Sequence, residues 1–125
     1  MQLPFLKVHG LGNDFLRGGR GNDRQSGGDG NDLQYGGPGN DTIFANRGAD
    51  TSYGGAGNDT LWALARADVD APGVDTLYGE DGNDSMDGGV ITDLINYADQ
   101  NIVSYGSSTA AVNVNLQTGI ASDGM

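Results

Sequence analysis

The sequence predicts an all-β protein, a right-handed parallel β-roll (β-solenoid) closed by C-terminal capping strands. Three observations carry that prediction: a nine-residue period, a unit made of turn residues followed by a strand triplet, and an acid at one fixed place in each unit. Stepped in nines, residues 9–17 read HGLGNDFLR, 18–26 GGRGNDRQS, 27–35 GGDGNDLQY, 36–44 GGPGNDTIF and 54–62 GGAGNDTLW. Residues 45–53 (ANRGADTSY) keep Gly48, Asp50 and Thr51. The frame slips at Ala63 and returns over 70–78 (DAPGVDTLY), 79–87 (GEDGNDSMD) and 88–96 (GGVITDLIN), which leaves an insertion over 63–69. A fixed period of this kind is the signature of a repeat architecture.

Each unit has six turn residues and three strand residues. Glycines at positions one, two and four can adopt positive φ and let other backbone approach closely. The triplets TIF, TSY, TLW and TLY suit a pleated surface. One unit buries nothing alone, but two make a flattened coil with a strand on each side, and stacked coils bury position eight. Leu16, Ile43, Leu61, Leu77, Met86 and Ile95 fit that interior place. Gln25, Gln34 and Ser52 do not, so the first half of the roll is expected to pack loosely. The domains follow: 1–8 as a leader or fusion remnant, 9–96 as the roll, and 97–125 as a capping segment whose pattern looks cut short at Met125. Within that segment Val112, Val114 and Leu116 alternate as in a half-buried strand.

Stacking aligns the sixth-position acids. Asp14, Asp32, Asp50, Asp75 and Asp93 fall in one column, and Asp23, Asp41, Asp59 and Asp84 in another, if the insertion merely bulges out. Strands stack roughly 4.8 Å apart. Bare carboxylates at that spacing repel by about 1 kcal/mol in water and about 3–4 kcal/mol at an effective dielectric near 20. Such a ladder opposes folding unless a cation sits between its rungs. Ca²⁺ suits the donors: it takes six to eight carboxylate and carbonyl oxygens in flexible geometry. With no cysteine and one histidine, Zn²⁺ and copper are poorly served, and Mg²⁺ demands stricter geometry. At ten times its dissociation constant an ion adds about 1.4 kcal/mol, so five ions add about 7 kcal/mol, comparable with a domain's net stability. Calcium binding and folding are therefore expected to be one event.

Composition agrees. The net charge is -11, and residues 67–125 hold ten acids and no base, which makes nucleic acid and anionic membranes poor partners. Twenty-three glycines raise the entropy lost on folding, and 36% hydrophobic residues give a thin core, so something besides burial must hold the chain. No stretch can span a membrane, and MQLPFLKVHG lacks the apolar run of a secretory signal.

GGRGNDRQS, GGDGNDLQY, GGPGNDTIF and GGAGNDTLW resemble the RTX (repeats-in-toxin, hemolysin-type) calcium-binding nonapeptide, a pattern associated with calcium-binding β-rolls. The resemblance covers 9–96, more weakly over 70–96, and the tail 96–123 looks like the alternating segment that follows such repeats. It implies Ca²⁺ held between coils by the sixth-position aspartates (Asp14, Asp23, Asp32, Asp41, Asp50, Asp59, Asp75, Asp84). It also implies carbonyl ligands from the loops of Gly18, Gly19, Gly21, Gly27, Gly28, Gly30, Gly36, Gly37, Gly39, Gly54, Gly55, Gly57, Gly79 and Gly82. It further implies export from a Gram-negative bacterium by the type I secretion machinery, an unfolded chain in low cytosolic calcium, and folding outside the cell. The repeats would then be a non-enzymatic folding module. The alternatives are a fragment of a secreted calcium-dependent enzyme or toxin (a protease, lipase or polysaccharide epimerase), and a calcium-dependent adhesin. Asn46 and Arg47 depart from the motif in 45–53, and Ile91 does so in 88–96.

The opening LPFLKVHGLGNDF also resembles the N-terminus of diaminopimelate epimerase, where the Asn placed as Asn13 helps bind substrate. That chemistry needs two cysteines, which this chain lacks, so epimerase activity is excluded. His9 has no partner for a triad or a zinc motif and reads as an end residue. Tyr35, Phe44, Tyr53, Trp62 and Tyr78 share position nine, either as strand-end packing or as a stripe that stacks on a sugar or a partner. Thr42, Thr51, Thr60 and Thr76 alternate between sides, which weakens an ice-binding array. The glycine loops are not phosphate cradles, because no Lys follows and an Asp stands where a phosphate would sit.

Overall fold

The computed structural model describes residues 6–8, 10–63, 74–88, 102–104, 113–115 and 120–122. The first strands are β1 (Leu6–Val8), β2 (Phe15–Arg17), β3 (Arg24–Asp29), β4 (Leu33–Pro38), β5 (Thr42–Arg47) and β6 (Thr51–Ala56). There follow β7 (Thr60–Trp62), β8 (Thr76–Asp81), β9 (Ser85–Asp87), β10 (Ile102–Ser104), β11 (Asn113–Asn115) and β12 (Ile120–Ser122). Successive strands alternate between two parallel sheets, β1-β3-β5-β7-β9-β11 and β2-β4-β6-β8-β10-β12. This is a parallel β-roll, two nine-residue units to each coil.

Register follows the period. Phe15 pairs with Leu33, Leu33 with Thr51, and Arg24 with Thr42. Across the insertion Thr51 pairs with Thr76 and Thr60 with Ser85, each one coil on plus the inserted length. Position-seven residues therefore stay opposite one another, because a slip by one residue would turn every core side chain outward. Ala63, counted with the insertion by sequence, still belongs to the ladder: its N–H donates to the Asp87 carbonyl and its own carbonyl accepts from Asn46. Residues 64–69 and His9 lie outside the described residues. Leu6–Val8, which precedes the first unit of the frame, pairs with β3 through Leu6 and Arg24.

The C-terminal end departs from the nine-residue step. That step would set 94–96 beside β8, with Asp93 above Asp75. The strand that pairs with β8 is instead β10, with Ile102 opposite Thr76. Asp93 and Ile95 lie outside the described residues. β11, within the alternating stretch of the tail, pairs with β9, and β12 pairs with β10, so tail strands extend both sheets.

The core is built mainly from position eight of both sheets, with Ala45 and Ala63 buried beside it. Leu16, Ile43, Leu61, Leu77 and Met86 are fully buried, each worth about 1.5–3 kcal/mol relative to exposure. Gln25, Gln34 and Ser52 occupy the same position and are equally buried. The expected looseness is answered by polar ties, two between the sheets and one within a sheet. Gln25 Nε2 donates to the Tyr35 carbonyl at 2.6 Å, and Gln34 Nε2 donates to the Phe44 carbonyl at 3.2 Å. Ser52 Oγ donates to Gln34 Oε1 at 3.0 Å.

Candidate metal centre

The three glycines of a unit serve different physical needs. Position two lies in the left-handed region, as at Gly37 (φ 113°), and Asn46 (φ 79°) and Glu80 (φ 69°) adopt it where glycine is replaced. Asn takes this conformation more readily than most residues, so 45–53 keeps the turn. Position four is also left-handed, and a Cβ on Gly39 would collide with the Gly21 carbonyl one coil back. Gly36, at position one, has ordinary φ but no room: a Cβ there would run into Oδ2 of Asp41 and the carbonyl of Gly54, although Ala45 fills the same place in 45–53.

That crowding locates the aspartates. Asp23, Asp32, Asp41, Asp50, Asp59, Asp75 and Asp84 are all buried, while Asp14, in the first unit, is half-buried. Backbone-to-carboxylate hydrogen bonds run along two columns. In one, the N–H groups of Asp14, Asp32 and Asp50 donate to Oδ1 of Asp32, Asp50 and Asp75 at 2.7–2.8 Å. In the other, the N–H groups of Asp23, Asp41 and Asp59 donate to Oδ1 of Asp41, Asp59 and Asp84 at 2.7–3.0 Å. Up to Asp75 and Asp84 these are the columns the period predicts, and both cross the insertion without a break.

The other carboxylate oxygen differs. Oδ2 of Asp41, Asp50, Asp59 and Asp84 is buried without a hydrogen-bond partner. An unmatched buried carboxylate oxygen is expensive. Oδ2 of Asp41 and the Gly54 carbonyl both border the space a Cβ on Gly36 would take; Oδ2 of Asp59 and the Gly79 carbonyl do so at Gly54. A carboxylate from one unit and a carbonyl from the next coil thus converge repeatedly. Among the described residues no three acidic or histidine side chains converge, so a metal here draws on main-chain carbonyls as well as carboxylates. That donor set fits a hard cation such as Ca²⁺.

The electrostatics point the same way. Burial pushes the carboxyls of Asp41 and Asp50 up to about 6 and that of Asp59 to about 7, against an ordinary 3.8. For each, the bond from the neighbouring N–H pulls the other way, and the neighbouring carboxylate adds to the rise. Burial likewise raises Asp84. A cation between coils reverses this balance by favouring the ionised form.

A second ladder had no assigned role at the level of sequence. The N–H groups of Asn31, Asn40, Ala49, Asn58 and Asn83 donate to Oδ1 of Asn13, Asn22, Asn31, Asn40 and Asn58 at 2.8–3.0 Å. It runs opposite to the aspartate ladder, since here the later coil donates. The signal was the Asn of every GND, visible but attributable to turn preference alone.

Fold and site together define a parallel β-roll with two files of stacked carboxylates. The family model described as RTX calcium-binding nonapeptide repeat (4 copies) matches residues 10–34, 26–61 and 71–90. The chain belongs to this calcium-binding repeat family, whose repeats are a non-catalytic module. No curated protein and no solved structure matches the chain at a significant level. No helix among the described residues is long and apolar enough to cross a membrane.

Proposed function

We propose that several calcium ions bind between successive coils, each held by sixth-position carboxylates and glycine-loop carbonyls, and that binding drives folding. The ligands proposed are Asp14, Asp32, Asp50 and Asp75 in one column and Asp23, Asp41, Asp59 and Asp84 in the other, with main-chain oxygens of the adjoining glycine loops. The observation that carries this reading is the buried, unmatched Oδ2 of Asp41, Asp50, Asp59 and Asp84. When bound, Ca²⁺ supplies positive charge that offsets the stacked carboxylates. The residues themselves supply oxygens and a loop narrow enough to bring them together. Circular dichroism during a calcium titration tests it. At pH 7.5 strand signal is expected only as Ca²⁺ is added, and strand signal in chelator at that pH, or equal rescue by Mg²⁺, would sink the coupling.

We infer further that the chain is a non-enzymatic folding and export module of an extracellular protein. It leaves a Gram-negative cell by type I secretion, unfolded in low calcium, and folds outside. Family membership and the calcium-dependent stability argued above support this. Co-expression with a type I exporter tests it: the chain should reach the medium only when the exporter is present.

A further inference from the structure

Among the described residues, position eight holds polar side chains at Gln25, Gln34 and Ser52, all buried. Gln34 is fully served: its Nε2 donates to the Phe44 carbonyl at 3.2 Å, and its Oε1 accepts from Ser52 Oγ at 3.0 Å. Gln25 is half served. Its Nε2 donates to the Tyr35 carbonyl at 2.6 Å. Its Oε1 is buried and accepts no hydrogen bond, in a residue only 1% exposed. Lys7 and Ile43 stand opposite Gln25 in register. The Tyr35 carbonyl does not depend on Gln25, since it also accepts the Gly18 N–H at 2.8 Å. A buried amide oxygen without a partner is costly. An apolar residue would avoid that cost, as Ile43 and Leu61 do in the same sheet.

The place of the amide gives Oε1 a use. A Cβ built on Gly18 would meet the Gly36 carbonyl oxygen at 2.5 Å, Asp23 Oδ2 at 2.7 Å and Gln25 Nε2 at 2.9 Å. The amide head thus shares one small space in the 18–23 turn with a carboxylate oxygen of its own unit and a carbonyl oxygen of the next coil. The Gly36 carbonyl accepts the Gly19 N–H at 3.0 Å and keeps a second lone pair. At Gly27, Gly36, Gly54 and Gly79 the three nearest atoms include no position-eight side chain. Gln34 therefore has no such place in the 27–32 turn. An amide oxygen that accepts no hydrogen bond can instead face a cation, and Ca²⁺ takes Gln carbonyls beside carboxylates and main-chain carbonyls.

We propose that Gln25 is itself a metal ligand: the ion between units 18–26 and 36–44 takes Gln25 Oε1 beside the Asp23 carboxylate and the Gly36 carbonyl. This rests on the calcium reading above and adds to it a ligand from the sheet interior, at a place the repeat otherwise gives to the core. The Nε2 bond to Tyr35 holds the amide, so little further ordering is needed when the ion arrives. The polar residue at position eight is then part of a site rather than a packing defect.

Equilibrium dialysis of the full chain against radiolabelled calcium at pH 7.5 tests this, at the lowest free calcium that fills the wild type. Gln25→Leu installs the residue that Leu16, Leu61 and Leu77 place at position eight, and removes the oxygen. It should bind one ion fewer at that concentration and recover it only at about tenfold higher calcium, the least loss expected when a metal site loses a supporting group. Gln34→Leu removes an amide that is already satisfied and should bind the full number. If Gln25→Leu fails to reach the wild-type dichroism in calcium, a crystal structure of the calcium-loaded wild type decides alone. Gln25 Oε1 at about 2.3–2.6 Å from an ion upholds the proposal, and Oε1 bonded to water or to Lys7 overturns it. Folded Gln25→Leu binding calcium as the wild type does, or Gln34→Leu losing an ion too, also overturns it and leaves the calcium reading standing. A wild type that binds no calcium overturns both.

Discussion

The two turn columns of the roll carry the same aspartates but different asparagines. The column of Asp23, Asp41, Asp59 and Asp84 has Asn22, Asn40, Asn58 and Asn83 beside it, linked rung to rung. The column of Asp14, Asp32, Asp50 and Asp75 has Asn13 and Asn31, and then Ala49 and Val74. Ala49 still donates to Asn31 but offers no side-chain acceptor upward. Even so, Asp50 is buried and its N–H reaches Asp75 across the insertion. The acid ladder therefore survives where the amide ladder lapses. Asparagine trims the turn, whereas aspartate keeps the buried ladder intact.

The largest way to break that equivalence is to remove the metal. Chelation at pH 7.5 should abolish the strand signal of both columns together, and retention of one sheet's signal would show that the columns load independently. Next comes Asp59→Asn, which keeps an oxygen to accept the Asp41 N–H but removes the charge. It should remove the ions on either side of it, about 1.4 kcal/mol each at ten times the dissociation constant, and isothermal titration should count them missing. Asp75→Asn, beside the insertion, should remove fewer. An unchanged ion count for Asp59→Asn would show that the buried carboxylates are not ligands.

Acidity sharpens the comparison with the metal absent. The folded carboxyls of Asp41, Asp50 and Asp59 titrate near 6, 6 and 7, above their ordinary 3.8. The folded chain thus holds protons more tightly than the unfolded one. Stability of the metal-free roll should rise as pH falls from about 7 toward roughly 4, and be lost again as pH climbs through that window. In calcium the slope should reverse, because protons compete for the same oxygens. Dichroism at pH 5 and 8, in chelator and in calcium, reads all four states. A metal-free roll that gains nothing on acidification would contradict the raised carboxyl values.

The smallest effects separate the two ladders. Asn40→Ala takes an acceptor from the Asn58 N–H and should lower stability by about 1 kcal/mol without changing the ion count. Ala49→Asn offers Val74 the acceptor that Asn58 offers Asn83, and should gain a few tenths of a kcal/mol up to about 1. Thermal melts in calcium measure both. An ion count that moves with Asn40→Ala would assign asparagine a place in the site.

Much of this was legible in residue order. The nine-residue frame located the strand triplets up to Met86, the inward place of Leu61 and Leu77, and the stacking of the aspartates from Asp14 to Asp84, because a period of two units per coil leaves little freedom. The frame failed where its cause failed: 88–96 has Ile91 in place of the fourth glycine, and the place beside β8 went to Ile102–Ser104. The polar residues of position eight looked like packing defects. Hydrogen-bond partners across the roll cannot be read from a linear chain, so the Gln25 and Gln34 ties were invisible. The position-nine aromatics recur visibly in the sequence, but the stacking of their rings is a product of the coils closing on one another.

The sequence by itself determined the period, and with it the parallel stack and the recurrence of acid at one turn, since only glycine-rich loops allow so tight a repeat. The tertiary structure alone decided which oxygens face each other. Burial and coil-to-coil hydrogen bonding commit Oδ1 of Asp32, Asp41, Asp50, Asp59, Asp75 and Asp84 to a neighbouring N–H and leave Oδ2 of Asp41, Asp50, Asp59 and Asp84 buried without one. That asymmetry arises only when one coil closes over the next.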